Sequence, residues 1–237
     1  MFLKLKKTIS ALLLFFIMPC SILAYSDYII ASGENIGIEL NAKGVLIIGT
    51  YEVENNDLAK QSGLQIGDMI TKVGNTPVTT VDDMVSKIND QVQNNEVNIT
   101  YLRNEQIKNT TLKLYKSNDV YKTGLYVKDH IIGIGTLTFI DPNTKLYGAL
   151  GHEIIEKSTG QILEIKDGKI FDSTVTGVDS SSNGTPGEKN ASYDKTKVQG
   201  DVKENTTQGI FGMYQEEIHG DLYKVATPSE IKEGKAY

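Results

Sequence analysis

Ala59-Lys60-Gln61-Ser62-Gly63-Leu64-Gln65-Ile66-Gly67-Asp68-Met69-Ile70-Thr71-Lys72-Val73 is the stretch that decides the fold. Asn56 or Asp57 caps a short helix over Leu58–Ser62, because a side-chain oxygen there can accept an unpaired amide of the first turn. Gly63 stops that helix in the left-handed conformation that glycine adopts without strain. Leu64 and Ile70 supply core residues, Gly67-Asp68 makes a tight turn, and Met69–Val73 leaves it as a strand. Asn75-Thr76-Pro77 turns the chain again.

Upstream, Ile36–Leu40 and Val45–Ile48 read as two strands separated by Asn41–Gly44. Downstream, Thr80 caps a second helix with Asp82 and Asp83 in its first turn. Val81, Met84, Val85 and Ile88 then fall at i, i+3, i+4 and i+7, one apolar face over about three turns. Val97–Arg103 and Ile107–Leu114 alternate apolar and polar residues around Asn104-Glu105, the pattern of a hairpin. Residues 116–123 are polar and read as a linker. Beyond them short strand-like runs dominate: Gly124–Val127, Ile131–Ile140, Leu146–Leu150, Ile162–Ile165 and Ile170–Val178. With no helical period there, the second region reads as a β barrel or sandwich.

Of the 237 residues, 39% are hydrophobic, enough to bury a core, and the formal net charge is −6. An acidic body does not offset phosphate repulsion, so nucleic acid is not an expected partner. Residues 1–24 place Lys4, Lys6 and Lys7 before an apolar run from Ile9 to Met18, the pattern of an export signal or membrane anchor. Cys20, the one cysteine, lies inside that segment, so no disulfide or cysteine metal site is expected in the body.

The three histidines are His130, His152 and His219. None has the H-x-x-x-H or H-E-x-x-H spacing of a zinc site, and neither a G-x-S-x-G elbow nor a phosphate loop is present. No metal and no cofactor is expected. His152 ends the run Leu146-Tyr147-Gly148-Ala149-Leu150-Gly151, where glycines let other groups approach a candidate general base. A lone histidine is more often a structural or surface residue, so spacing alone assigns it no role.

The pattern Ala59-x-x-x-Gly63-Leu64-x-x-Gly67-Asp68-x-Ile70-x-x-Val73, followed by Pro77-Val78 and the helix from Val81, resembles a PDZ domain of the bacterial exported kind over residues 33–115. That resemblance implies that an extended peptide adds as a strand beside the helix. The groove is expected between Ile36–Leu40 and Val81–Gln91, with Ile36, Gly37, Ile38, Val81 and Val85 as peptide-binding residues. Residues 33–115 are expected to fold alone.

Residues 124–237 resemble the peptidase domain of the SpoIVB (S55) family. The matching segments are Gly133-Ile134-Gly135-Thr136-Leu137-Thr138-Phe139, Tyr147-Gly148-Ala149-Leu150-Gly151-His152 and Ser158-Thr159-Gly160. Later come Pro186-Gly187-Glu188-Lys189 and Asn205-Thr206-x-x-Gly209-Ile210-Phe211-Gly212. The resemblance implies a mainly β fold, with an α+β PDZ-like domain followed by a partial chymotrypsin-like β-barrel peptidase domain. It implies a serine endopeptidase, exported to the space between forespore and mother-cell membranes. Such an enzyme cleaves a membrane-bound regulatory protein and so triggers intramembrane processing of a sigma-factor precursor. Its PDZ domain is expected to take peptide tails or a second copy of the chain. His152 matches the triad histidine. The family's Gly-x-Ser-Gly-[ST]-Pro motif and the preceding aspartate find no match, and Ser180–Ser182, Asp172, Asp179 and Asp194 lack that context. The resemblance therefore implies a domain incomplete at its C-terminus. The alternative reading is a non-catalytic PDZ protein.

Overall fold

The computed structural model describes residues 26–234, and the candidate export segment with Cys20 lies outside them. Residues 26–27 and 224–234 form a small unit of their own, in which Val225 N–H donates to the Asp27 carbonyl. The larger unit spans 28–223.

The strands, in chain order, begin with β1 (Tyr28–Ala31), β2 (Asn35–Thr50), β3 (Met69–Val73) and β4 (Thr76–Pro77). β5 (Glu96–Arg103), β6 (Gln106–Lys113), β7 (Tyr115–Ser117), β8 (Val120–Lys122) and β9 (Leu125–Ile140) follow. Then come β10 (Leu146–Ala149), β11 (Ile155–Glu156), β12 (Gln161–Ile162), β13 (Ile165–Asp179) and β14 (Glu188–Val202). β15 (Glu204–Thr206), β16 (Gly209–Met213) and β17 (Leu222–Lys224) complete the set. Among the described residues two helices, α1 (Leu58–Gln61) and α2 (Val81–Gln91), both precede β5. The protein is mainly β, a PDZ domain joined to a curled sheet.

Local chemistry explains the first half. Asp57, not Asn56, caps α1: its Oδ1 accepts from Lys60 N–H at 2.9 Å. Gly63 takes φ +70 as the left-handed stop. The Asp68 side chain is 1% exposed. It accepts from Gln65 N–H at 2.8 Å and forms a two-pronged ion pair with Arg103, both contacts at 2.6 Å. A buried carboxylate survives only with such partners. Asn104 and Glu105 both take positive φ, the two-residue turn that joins β5 to β6 in register Arg103↔Gln106.

Two expectations are corrected. Residues 116–123 are a small hairpin, β7 with β8 around Asn118-Asp119, rather than a plain linker. Asn41–Gly44 does not break the chain into two strands, because β2 runs unbroken from Asn35 to Thr50. The reason is pairing from outside. Lys43 N–H donates to the Glu164 carbonyl, Asn41 Nδ2 donates to Asp167 Oδ1 at 2.6 Å, and β13 pairs as far as Ala42.

The sheet order β15-β16-β10-β9-β2-β3-β5-β6 makes β9 and β2 the spine of the larger unit. Its two faces carry two cores, and the two-residue period of a strand sorts side chains between them. In β2, Val45 and Ile47 enter a core with Ile70, Met84, Ile88, Ile99 and Leu112. Leu46 enters the other core, with Ile38, Leu137, Tyr147, Ile170 and Ile210. β9 divides along its length instead. Leu125 and Val127 pack with the first core, while Leu137 and Ile140 belong to the second. The first core is therefore closed by residues that follow position 115, and a fragment over 33–115 lacks them.

Candidate functional site

Gly124 starts β9 with φ +74, and a side chain there would press on the Tyr51 carbonyl, so glycine suits the entry to this strand. Helix α2 stands beside the first half of β9. Val81 N–H, an unpaired donor of its first turn, donates to Asp129 Oδ2 at 2.7 Å. Asp129 Oδ1 lies 2.6 Å from His130 Nδ1. Burial disfavours the Asp129 anion, but the Val81 amide and the His130 ring outweigh that and hold its carboxyl below the usual range. Because the folded value is depressed, this stabilisation is present above the unfolded carboxylate range and is lost as pH falls through the folded value. Asp129→Asn should cost about 1–2 kcal/mol at neutral pH. Urea midpoints of the variant and the parent should converge on acidification, and a constant gap across pH would contradict this anchoring.

The expected peptide groove is relocated by these contacts. Ile36, Gly37 and Ile38 offer no open edge, because each pairs on both sides. On one side they face Gly135, Ile134 and Gly133 of β9, and on the other Asp172, Phe171 and Ile170 of β13. Ile36 and Ile38 are fully buried. The strand that lies beside α2 is the first half of β9, from Leu125. Val81 is partly buried, and Val85, one turn on, is 52% exposed toward solvent. Of the five residues expected at the groove, Val81 and Val85 lie on α2, whose first turn is bonded to Asp129 of β9, and the other three lie in the paired interior of the sheet. The signal that could have found the strand beside α2 is Gly124-Leu125-Tyr126-Val127, an apolar run entered through glycine just after the polar stretch.

The second half of β9 leads to His152. β10 pairs with β9 through Ala149↔Leu137, and Leu150 N–H donates to the Thr136 carbonyl. Leu150 then takes φ +72 and Gly151 φ +81. For leucine that conformation costs about 1 kcal/mol and persists because its surroundings hold it. The turn delivers His152 to the surface, at the mouth of a cleft of about 510 Å³ lined by Ile131, Ile134, Leu150 and Ile154. His152 Nδ1 lies 2.8 Å from the Glu153 carbonyl. A carbonyl only accepts, so Nδ1 carries a proton, and in the neutral ring Nε2 is then the atom with the lone pair. That is the tautomer a general base needs. No carboxylate hydrogen-bonds His152 among the described residues; the backbone carbonyl takes the orienting place.

Further along the chain from His152, Glu156 is buried and tied to Ser158 Oγ at 2.8 Å and Lys128 Nζ at 3.2 Å. Burial works against its charge, yet Ser158 and Lys128 together hold its carboxyl below the usual range. Asn205 clamps the same loop, accepting from Ile154 N–H and donating to the Ile154 and Leu163 carbonyls. These contacts fix the loop that carries His152.

The family model for the SpoIVB peptidase S55 domain matches residues 119–237, half of the chain. This chain belongs to the SpoIVB peptidase S55 family. A PDZ domain model matches residues 35–114, stopping short of the strand that lies beside α2. Two curated relatives are named Serine protease Do-like HtrA, from Lactococcus lactis subsp. lactis and subsp. cremoris. Each is 37% identical over 73 residues, 31% of this chain and 18% of the relative. The match thus spans less than a fifth of those proteins. The S55 segment of this chain includes β9, β10 and His152, and the cleft is lined from it except for Ile38 of β2.

Proposed function

We propose that this chain carries the general base and the docking surface of a sporulation serine endopeptidase. It is exported across the cytoplasmic membrane to the space between forespore and mother-cell membranes. There it cleaves a membrane-bound regulatory protein and so triggers intramembrane processing of a sigma-factor precursor. The observation that carries the reading is His152 itself, held at an apolar cleft with Nδ1 satisfied and Nε2 free, inside an S55 match. Nε2 would take the proton from a serine hydroxyl and deliver it to the leaving amine.

Residues 1–237 contain no Gly-x-Ser-Gly-[ST]-Pro motif, and that observation favours a second reading, a PDZ protein that binds peptide or membrane-protein tails without cutting them. The test compares this chain with the same chain followed by a segment bearing the motif, each with and without His152→Ala. Cleavage by the extended form that His152→Ala abolishes supports the peptidase. Cleavage that survives the substitution contradicts the role of His152, and peptide binding without any cleavage establishes the second reading.

A further inference from the structure

This inference rests on the peptidase reading and concerns how a substrate reaches His152. From Leu125 to Thr136 one edge of β9 is paired with β2. The opposite edge meets β10 only from Leu137 onward, with Leu150 bonded to Thr136. Among the described residues no strand covers that edge between Tyr126 and Gly135. Exposed strand edges are ordinarily guarded by proline or by projecting lysine. This one has no proline, and its one lysine, Lys128, is tied to Glu156. Its exposed side chains include Tyr126, Ile132 and Ile134. The first turn of α2 is bonded to it at Asp129, with Val85 exposed one turn further along the helix, and the His152 cleft takes in its Ile131, Gly133 and Ile134.

We propose that the free edge of β9 is one continuous docking track, which an extended segment of the substrate protein enters as an added strand running from α2 to His152. Every present partner of β9 is antiparallel to it, so the added segment would run with its C-terminal side toward Leu125. From Tyr126 to Ile134 is about eight residues of strand, so the bond presented to His152 lies about eight residues upstream of the end held by α2. The occupant carries aliphatic side chains at alternate positions. It carries lysine or arginine at the α2 end, where the first turn of α2, bonded to Asp129 of β9, carries the exposed Asp82 and Asp83 on an acidic body.

The test uses the full chain and a synthetic peptide of about twelve residues, with valine at alternate positions and lysines in its C-terminal half. A photo-crosslinking group is placed either at its C-terminal end or about eight residues upstream. The end probe should label Val85 or Tyr126 and the upstream probe the Ile134–His152 region. Val85→Glu and Ile134→Glu should each weaken binding about tenfold, since both substitutions sit on exposed positions of the same strand-addition surface. Binding weakened by Val85→Glu but not by Ile134→Glu, with both probes labelling only the α2 end, would overturn the track while leaving a PDZ groove in place. Labelling at His152 alone would overturn the role of α2. A peptidase reading that fails in the His152→Ala comparison would show itself as unchanged cleavage, independently of where the peptide binds.

Discussion

In the form extended by the serine-bearing segment, replacing His152 by alanine should lower kcat for proteolysis by about 10⁴–10⁶-fold while leaving KM within a few-fold. The asymmetry follows from position. The imidazole acts on a proton in the transition state, whereas ground-state binding is left to the apolar walls of the cleft and the β9 edge. The side chain is exposed and its one bond is to the neighbouring Glu153 carbonyl, so its removal should change stability by no more than about 0.5 kcal/mol. Steady-state kinetics and a urea melt on the same preparation separate the two effects. A large rise in KM at constant kcat would mean that His152 binds substrate rather than moving a proton.

A fragment over 44–130 should be more stable than one over 33–115 by about 3 kcal/mol, although the two differ little in length. The shorter C-terminus deletes Leu125, which is buried, and Val127, which packs against the same core. It also uncovers the β2 edge at Leu46–Thr50, which β9 pairs in the intact chain. The longer N-terminus of 33–115 brings Ile36, Ile38 and Leu40 without the β13 and β16 partners that bury them. Those residues add exposed apolar surface in place of stability. Urea midpoints decide it, and equal midpoints would mean that the core closes without β9.

Much of this structure is written in local signals. The α1 cap at Asp57, the stop at Gly63, the apolar face of α2 and the Asn104-Glu105 hairpin each depend on residues within a few positions of one another. His152 was legible as the end of a glycine-bearing strand, and its cleft follows from the neighbours that strand brings. What was not legible is pairing at long range. Val45–Ile48 reads as a buried strand, but nothing in it says that alternate residues serve different cores. Ile36–Ile38 has the composition of a groove strand, yet the chain spends it in the middle of the sheet, because β13 from over 120 residues away pairs with its outer edge. Tertiary pairing overrode the local reading there, and it also kept Asn41–Gly44 extended where turn residues predict a bend. The orienting bond on His152 comes from a backbone carbonyl, which no side-chain motif can announce.

β9 is a single strand that closes both cores. Native-state amide hydrogen exchange on the intact chain tests it most directly, because opening free energies report which segments unfold together. The β2-facing amides of Leu125–Val127 should open with the same free energy as those of Leu137–Ile140, and Met84→Ala, which loosens the core under α2, should lower both. Free exchange at 125–127 beside full protection at 137–140 would contradict it, leaving two domains joined by a flexible connection.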